Sequence, residues 1–288
     1  MKLKDYLLDA RKKGYAIGHF NFATGDVLRA IIEASKEAGA PAVMIGTSEG
    51  EADFVGINEA VALVKALRAD YNFPVFLNAD HFKSFDKCRE AIDAGYDSVI
   101  IDTSKMEFKD NMSSAKKVVE YAKSISASRR TDISVEGELG YLKGSSEVQQ
   151  KVEIGPDDYT KLEEAKDFVG KTGVDRLAIV FGNIHGIVTE QEERLDVGHL
   201  KKIVAAVPDM SYVLHGASGL KDEDVVASIK AGINNVHFNT ELRVAYHDKI
   251  RDVLQHNPNE TTPYKYLKPA VEEVKKVVSA RIKLFMGT

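Results

Sequence analysis

The 288-residue chain contains one cysteine, Cys88, and no tryptophan. A single cysteine excludes an internal disulfide and any metal site built from clustered thiolates, and it fits a reducing cytosol. No uninterrupted apolar run approaches the roughly 20 residues needed to span a bilayer. The opening segment MKLKDYLLDARKKG is charged throughout and lacks the apolar stretch of a secretory signal. Positive charge is not in excess either: 39 Lys and Arg stand against 44 Asp and Glu, for a net charge of −5. That argues against a general nucleic-acid binder, which needs a basic surface. Small anionic substrates stay open, because a local site can be positive on an acidic protein. The expectation is a cytoplasmic protein with a small-molecule substrate and neither membrane nor nucleic-acid partner.

What the chain does contain is order. Short apolar, β-branched runs alternate with amphipathic stretches almost from end to end. The runs are Tyr15–Phe22, Pro41–Ser48, Pro74–His81, Asp97–Ser104, Ile133–Gly140, Arg176–Gly186, Ser211–Gly219 and Asn234–Leu242. Each is followed by a helical pattern, and two helical patterns follow the last. Glycine closes several of these helices (EAGAP, DAGYD, KTGVD, KAGIN), as a left-handed C-cap prefers. Eight strand–helix units without a linker imply a parallel sheet, and at this length a closed (β/α)8 barrel, residues 1–288 forming one domain with an additional C-terminal helix. An open doubly wound sheet is the rival, but NFATGD after the first run is not GxGxxG. The long stretch Tyr141–Asp158 reads as irregular, and its length suggests a mobile lid.

Functional groups in such a barrel sit where strands run into the following loops. Three of the eight histidines, His81, His185 and His215, lie just after the third, sixth and seventh runs, the last two each followed by glycine. Three imidazoles with a fourth position open describe a catalytic zinc or a similar divalent site. His199, His247 and His256 fall on helical patterns and read as solvated, while His19 and His237 on strands suit either core or pocket. The third run ends VFLNADH, with Asp80 directly before His81. Neighbours on a regular strand face opposite sides, so both reach one place only if the strand has stopped there. Asp80 beside a metal-bound histidine is placed for proton transfer; capping the next helix or orienting a ligand is its alternative role. Asp102 and Glu138 offer hard oxygen ligands for a second divalent or monovalent cation, or a hydrogen-bonding surround for the histidines.

The segments NFATGDVLRAIIEAS, GTSEGE, LNADH, VIIDTS, VEGELG, GNIHG, LHGASG, NTEL and YLKPAVEEVKKVVSARIKLF, in this order, resemble the class II, metal-dependent fructose-bisphosphate aldolases and their tagatose-bisphosphate relatives. The resemblance runs from about Tyr15 to Phe285. It implies a (β/α)8 barrel that cleaves a ketose 1,6-bisphosphate into dihydroxyacetone phosphate and glyceraldehyde 3-phosphate, in glycolysis or gluconeogenesis. It places Zn2+ on His81, His185 and His215, a second metal at Asp102 and Glu138, and Asp80 at the C4 hydroxyl. Asn21 and Ser48 would contact substrate, and Gly186, Gly216 and Ser218 would lie at a phosphate. A homodimer or homotetramer is implied as well.

Four positions depart from the family pattern. His237 stands where an asparagine commonly binds substrate, with Asn239 and Thr240 following it. The loop after His185 offers Glu190 and Arg194 instead of a lysine. Two loop glutamates are replaced by Ser145 and Ser146, with Glu147 adjacent as the stand-in acid/base. Lys265 lies where an arginine is usual. These changes touch the substrate ends and leave open another ketose phosphate, tagatose bisphosphate or a ketose with one phosphate or none. A binuclear hydrolase on the same barrel is a further alternative, although it would usually carry an H-x-H pair that is absent here. A noncatalytic sugar-phosphate binder is another, although it would have no need of Asp80.

Overall fold

The computed structural model describes residues 2–288. Ten strands occur in chain order: β1 (Ile17–Asn21), β2 (Val43–Thr47), β3 (Val75–Phe82), β4 (Ser98–Ile101), β5 (Ser134–Leu139), β6 (Gly144–Gln149), β7 (Arg176–Ile179), β8 (His185–Val188), β9 (Ser211–Leu214) and β10 (Ile233–His237). All but β6 and β8 close into a parallel barrel, in the order β1-β10-β9-β7-β5-β4-β3-β2. The helices are α1 (Leu3–Lys13), α2 (Gly25–Glu37), α3 (Glu49–Val55), α4 (Ile57–Tyr71), α5 (Phe85–Ala94) and α6 (Phe108–Arg129). They continue as α7 (Leu162–Thr172), α8 (Val197–Ala206), α9 (Asp222–Ala231), α10 (Thr240–His256) and α11 (Pro263–Met286). The eight apolar runs are the eight barrel strands, and α11 is the additional C-terminal helix. No helix among the described residues is long and apolar enough to cross a membrane.

The strands read as nearly continuous apolar runs because both faces are covered, one by the barrel interior and one by helices. In β5, alternation sorts the faces. Ser134, Glu136 and Glu138 point inward, while Gly137 points out against α7, where an added Cβ would lie 2.5 Å from the Phe168 ring. VEGELG thus delivers two carboxylates to the barrel interior from one strand. On α11, the buried residues Ala270, Val274, Val278, Ile282 and Phe285 form one stripe three or four residues apart. Each larger side chain in it contributes roughly 1.5–3 kcal/mol by leaving water.

Three local features differ from the sequence expectation. α1 was not foreseen; it places Leu3, Leu7 and Ala10 against Tyr15, Ile17, Ala42 and Met44 beneath the barrel. Its apolar stripe is hidden among charges that face solvent. The sixth run is also broken: β7 stops at Ile179, and His185 opens the separate short strand β8. Finally, Tyr141–Asp158 is not irregular. It contains β6, which pairs in parallel with β8, and the 3-10 turn Pro156–Asp158. Its polar sequence, GSSEVQ, does not announce a strand because β6 has only one neighbour and no buried face.

Candidate active site

His81 has φ +52, one of three non-glycine residues in the left-handed region among those described. The β3–β4 register shifts between Ala79 and Phe82. This bulge explains the Asp-His pair: the ladder is interrupted at Asp80 and His81, so both side chains turn to the same side. The ring centroid of His81 lies 4.8 Å from that of His185 and 4.5 Å from that of His215. Ligand atoms of Asp80, His81 and His215 lie within 4.8 Å of one another, and so do those of His81, Glu138 and His185. His81 is the shared member. Its Nδ1 is 3.1 Å from Asp102 Oδ2 and 3.0 Å from Glu138 Oε2.

The two His-Gly turns hold one another in place. Gly216 has φ +70, and a Cβ there would lie 1.8 Å from the carbonyl oxygen of Ile184. Gly186 has φ +88, and its Cβ would lie 2.2 Å from the carbonyl oxygen of Glu147. Glycine is required at both by backbone against backbone. His185 is fixed on each side: its N–H donates to Lys143 O at 2.8 Å, and its carbonyl accepts from Gln149 Nε2 at 2.8 Å. His215 is held by Glu136, whose Oε1 lies 2.7 Å from His215 Nε2. Asn183 closes the loop before His185, donating to the carbonyls of Ile179 and His215 at 3.3 and 3.2 Å.

These residues open into a cavity of about 350 Å³ at the C-terminal end of the strands. Of the residues expected there, Asn21, Ser48, Asp80, His81, Asp102, His185, Gly186, His215, Gly216, Ser218, His237, Asn239 and Thr240 all line it. Glu138 lies just below, beside His81. Glu147 does not line the cavity and is exposed. Strand alternation sends its neighbour Ser146 inward instead, to Thr240 Oγ1 at 3.2 Å. Arg194 and Lys265 are also elsewhere, paired with Glu192 and Glu260. Glu190 lines a separate surface cavity.

Three cations and one carboxylate in the cavity escaped the sequence reading. Lys83, Lys105, Arg243 and Glu51 line it. Lys105 lies 4.8 Å above the Tyr141 ring, and Arg243 donates to Ser146. They are ordinary helix and loop charges in the sequence, and only strand closure gathers them. Asn21 Nδ2 bridges Glu51 Oε2 at 2.8 Å and Asp80 Oδ2 at 2.9 Å.

A family model described as fructose-bisphosphate aldolase class-II matches residues 1–288. The chain belongs to the class II fructose-bisphosphate aldolase family. It is an aldehyde-lyase. It is 38% identical to a fructose-bisphosphate aldolase of Staphylococcus aureus over 290 residues, covering 99% of this chain and 96% of that one. A Staphylococcus epidermidis fructose-bisphosphate aldolase is 37% identical over the same length and coverage. Among solved structures, the YdjI aldolase from Escherichia coli K12 superposes with a TM-score of 0.81 at 27% identity, over 99% of this chain and 96% of that one. The Campylobacter jejuni fructose-bisphosphate aldolase shares the fold, with a TM-score of 0.81 at 21% identity, over 99% and 94%.

Electrostatics in the site of this family member separate the groups. Burial alone would raise the Asp80 pKa, but His81 together with the Asn21 amide outweighs it and holds it at about 2. His81 itself is pushed, against its own burial, well above the ordinary histidine value by Glu138, Asp80 and Asp102. Burial, then His81 and His215, push His185 down to about 3, keeping a neutral ring. Burial and Asp102 raise Glu138. His19 and His237 are driven well below the ordinary histidine value, burial being the largest cause in both. The two rings stack at 3.6 Å with planes 8° apart.

Proposed function

We propose that this enzyme reversibly cleaves fructose 1,6-bisphosphate to dihydroxyacetone phosphate and glyceraldehyde 3-phosphate by breaking C3–C4, with zinc as its metal. The observation that carries the reading is the approach of His81 to His185 and His215 with Asp80 at the floor of one cavity. The donor set fits the metal. His185 is neutral, His215 engages Glu136 through Nε2 and so leaves Nδ1 free, and His81 turns Nδ1 to Asp102 and Glu138 and so leaves Nε2. Nitrogen-rich ligation favours zinc, and Asp102 with Glu138 supplies oxygens for a second cation. Bound there, zinc supplies a fixed positive charge for the negative charge that builds on the C2 oxygen.

The remaining steps belong to the chain. Asp80 is ionised and accepts the C4 hydroxyl proton. The C4–O bond becomes a carbonyl as the C3–C4 electron pair passes to C3, which yields the aldehyde and the enediolate. Asn21 holds Asp80 through Oδ2, and Asp80 Oδ1 lies 3.3 Å from His237 Nδ1 on the cavity wall. One phosphate would sit at the Gly186 and Gly216 turns with Ser218, near the N-terminus of α10, where Asn239 and Thr240 line the wall. The other would meet Lys83 and Lys105, which follow β3 and β4 across the cavity. A homodimer or homotetramer is part of this reading, and the exposed aromatic rings of Phe54 and Tyr264 are surface that such an assembly would cover.

One observation favours a second substrate reading. His237 is 6% exposed, lines the cavity, and brings Nδ1 to 3.3 Å from Asp80 Oδ1 while its Nε2 has no hydrogen-bond partner. An imidazole in that place suits a different hydroxyl pattern, such as tagatose 1,6-bisphosphate or a singly phosphorylated ketose. The test is release of dihydroxyacetone phosphate from a panel of ketose phosphates, with metal analysis before and after chelation. Fructose 1,6-bisphosphate should be cleaved by the zinc-loaded protein and not by the chelated one. Cleavage that survives complete metal removal would end the proposal, and preference for another ketose would replace its substrate.

A further inference from the structure

The barrel interior beneath the site holds a charged residue where such barrels usually pack aliphatic side chains. Arg176, on β7, is fully buried. It pairs with Glu136 Oε2 at 2.6 Å and donates to Ser134 Oγ at 3.3 Å, Asn235 Oδ1 at 2.8 Å, Asn78 Oδ1 at 3.1 Å and Ser98 Oγ. One guanidinium therefore reaches β3, β4, β5 and β10. A guanidinium has donors only, and that fixes the direction of the hydrogen bonds beyond it.

Two chains of bonds lead from Arg176 to the cavity. Along the first, Asn78 must present Oδ1 to Arg176, so its Nδ2 is the atom facing His19 Nε2 at 3.0 Å. An amide nitrogen donates, so His19 Nε2 must accept and the ring proton must sit on Nδ1. Along the second, Glu136 is a carboxylate paired with Arg176 and can only accept. His215 Nε2, 2.7 Å from Glu136 Oε1, must carry a proton, and the lone pair is left on Nδ1. We propose that Arg176 is a positioning residue for the site: from inside the barrel it sets which nitrogen of His19 and of His215 bears the proton. The His215 half rests on the metal-site reading above, whereas the His19 half stands without it.

The geometry around His19 supports this assignment. A Cβ on Gly46 would lie 2.4 Å from His19 Cε1 and 2.6 Å from Nε2, so the ring occupies space that only glycine leaves. Burial and the neighbouring His237 keep the His19 ring neutral, which is the condition for having a tautomer to set. His237 lies flat on it, lines the cavity wall, and brings its Nδ1 to 3.3 Å from Asp80 Oδ1. Orienting the His19 dipole orients the partner ring that faces substrate. The stack is not a second metal site. A ligated imidazole holds its metal in the ring plane, and two parallel planes 3.6 Å apart share no such point.

The test uses nitrogen NMR of zinc-loaded protein labelled at the histidine rings. Wild type should show His19 with Nδ1 protonated and Nε2 bare, and His215 with Nε2 protonated. In Asn78→Asp, both side-chain oxygens accept, one from Arg176 and one from His19, so the His19 proton should move to Nε2 while His215 is unchanged. Arg176→Gln removes the fixed donor fork, and His19 should then populate both tautomers. Should that variant fail to fold, Asn78→Asp still decides. In Asn78→Asp the KM for the best ketose phosphate should rise about three- to tenfold, the worth of one hydrogen bond, with kcat and zinc content held. A wild-type His19 protonated at Nε2, or a tautomer that ignores Asn78→Asp, overturns the proposal. A flipped tautomer with unchanged KM overturns the link to substrate. Because the ring-nitrogen readout needs no turnover, it remains decisive even if the substrate assignment fails.

Discussion

Glu193 gives the fold a stability that should fall as the solution becomes more alkaline. The side chain is 6% exposed. Its Oε1 accepts the N–H of Ile184 at 3.0 Å, and its Oε2 is buried with no partner among the described residues. Burial, reinforced by the Asp224 carboxyl and only partly offset by the Ile184 N–H, raises its pKa from 4.5 to about 8. A carboxyl that binds its proton more tightly when folded costs nothing below the unfolded value. The cost grows as pH rises from 4.5 and levels off above about 8. At about 1.4 kcal/mol per unit, that window sets a ceiling of roughly 4–5 kcal/mol.

Glu193→Gln keeps the oxygen that accepts from Ile184 and removes the charge. Urea unfolding of both proteins, measured from about pH 5 to pH 9, isolates this group, because the other titrations cancel in the difference. The variant should match wild type at the acidic end and exceed it increasingly toward the alkaline end. A difference that stays flat across the range, or a variant less stable at the alkaline end, refutes the argument.

Asp80→Asn should lower turnover by roughly 10²–10⁴-fold, the usual contribution of a positioned acid or base, with bound zinc per chain unchanged; loss of zinc would make Asp80 a ligand instead. Glu147→Gln should leave kcat/KM nearly unchanged, because that side chain faces away from the cavity, and a fall of about a hundredfold, on the scale of acid/base catalysis, would restore it to the mechanism. Gly216→Ala forces a left-handed backbone costing about 1–2 kcal/mol and sets a Cβ against Ile184 O. A calorimetric melt should show a clear fall in Tm, and an unchanged Tm would refute the contact.

How far the sequence reaches is seen residue by residue. The β-branched runs and their alternation with amphipathic helices determine the barrel, because each signal is local: period two on a strand, period 3.6 on a helix. The same local logic marks Asp80, His81, His185 and His215 as groups at strand ends, and makes Glu136 and Glu138 share a face. The failures also have local causes. α1 hides a narrow apolar stripe among charges, and β6 lacks a buried face to betray it. Glu147 is adjacent to the right position in sequence, but one residue along a strand is the opposite side.

What only the tertiary structure decided is which of these groups meet. The bulge that turns Asp80 and His81 the same way depends on the register of β3 against β4, and no residue declares it alone. Arg176 opens its run looking like the polar edge of a strand, yet barrel closure places it at the centre, where it joins five other strands, β2 through Met44 Sδ included. Lys83, Lys105 and Arg243 come to line one cavity only when the ends of β3, β4 and β10 are brought around a common axis. Periodicity is written in neighbouring residues; convergence depends on distances that the chain acquires only when the barrel closes.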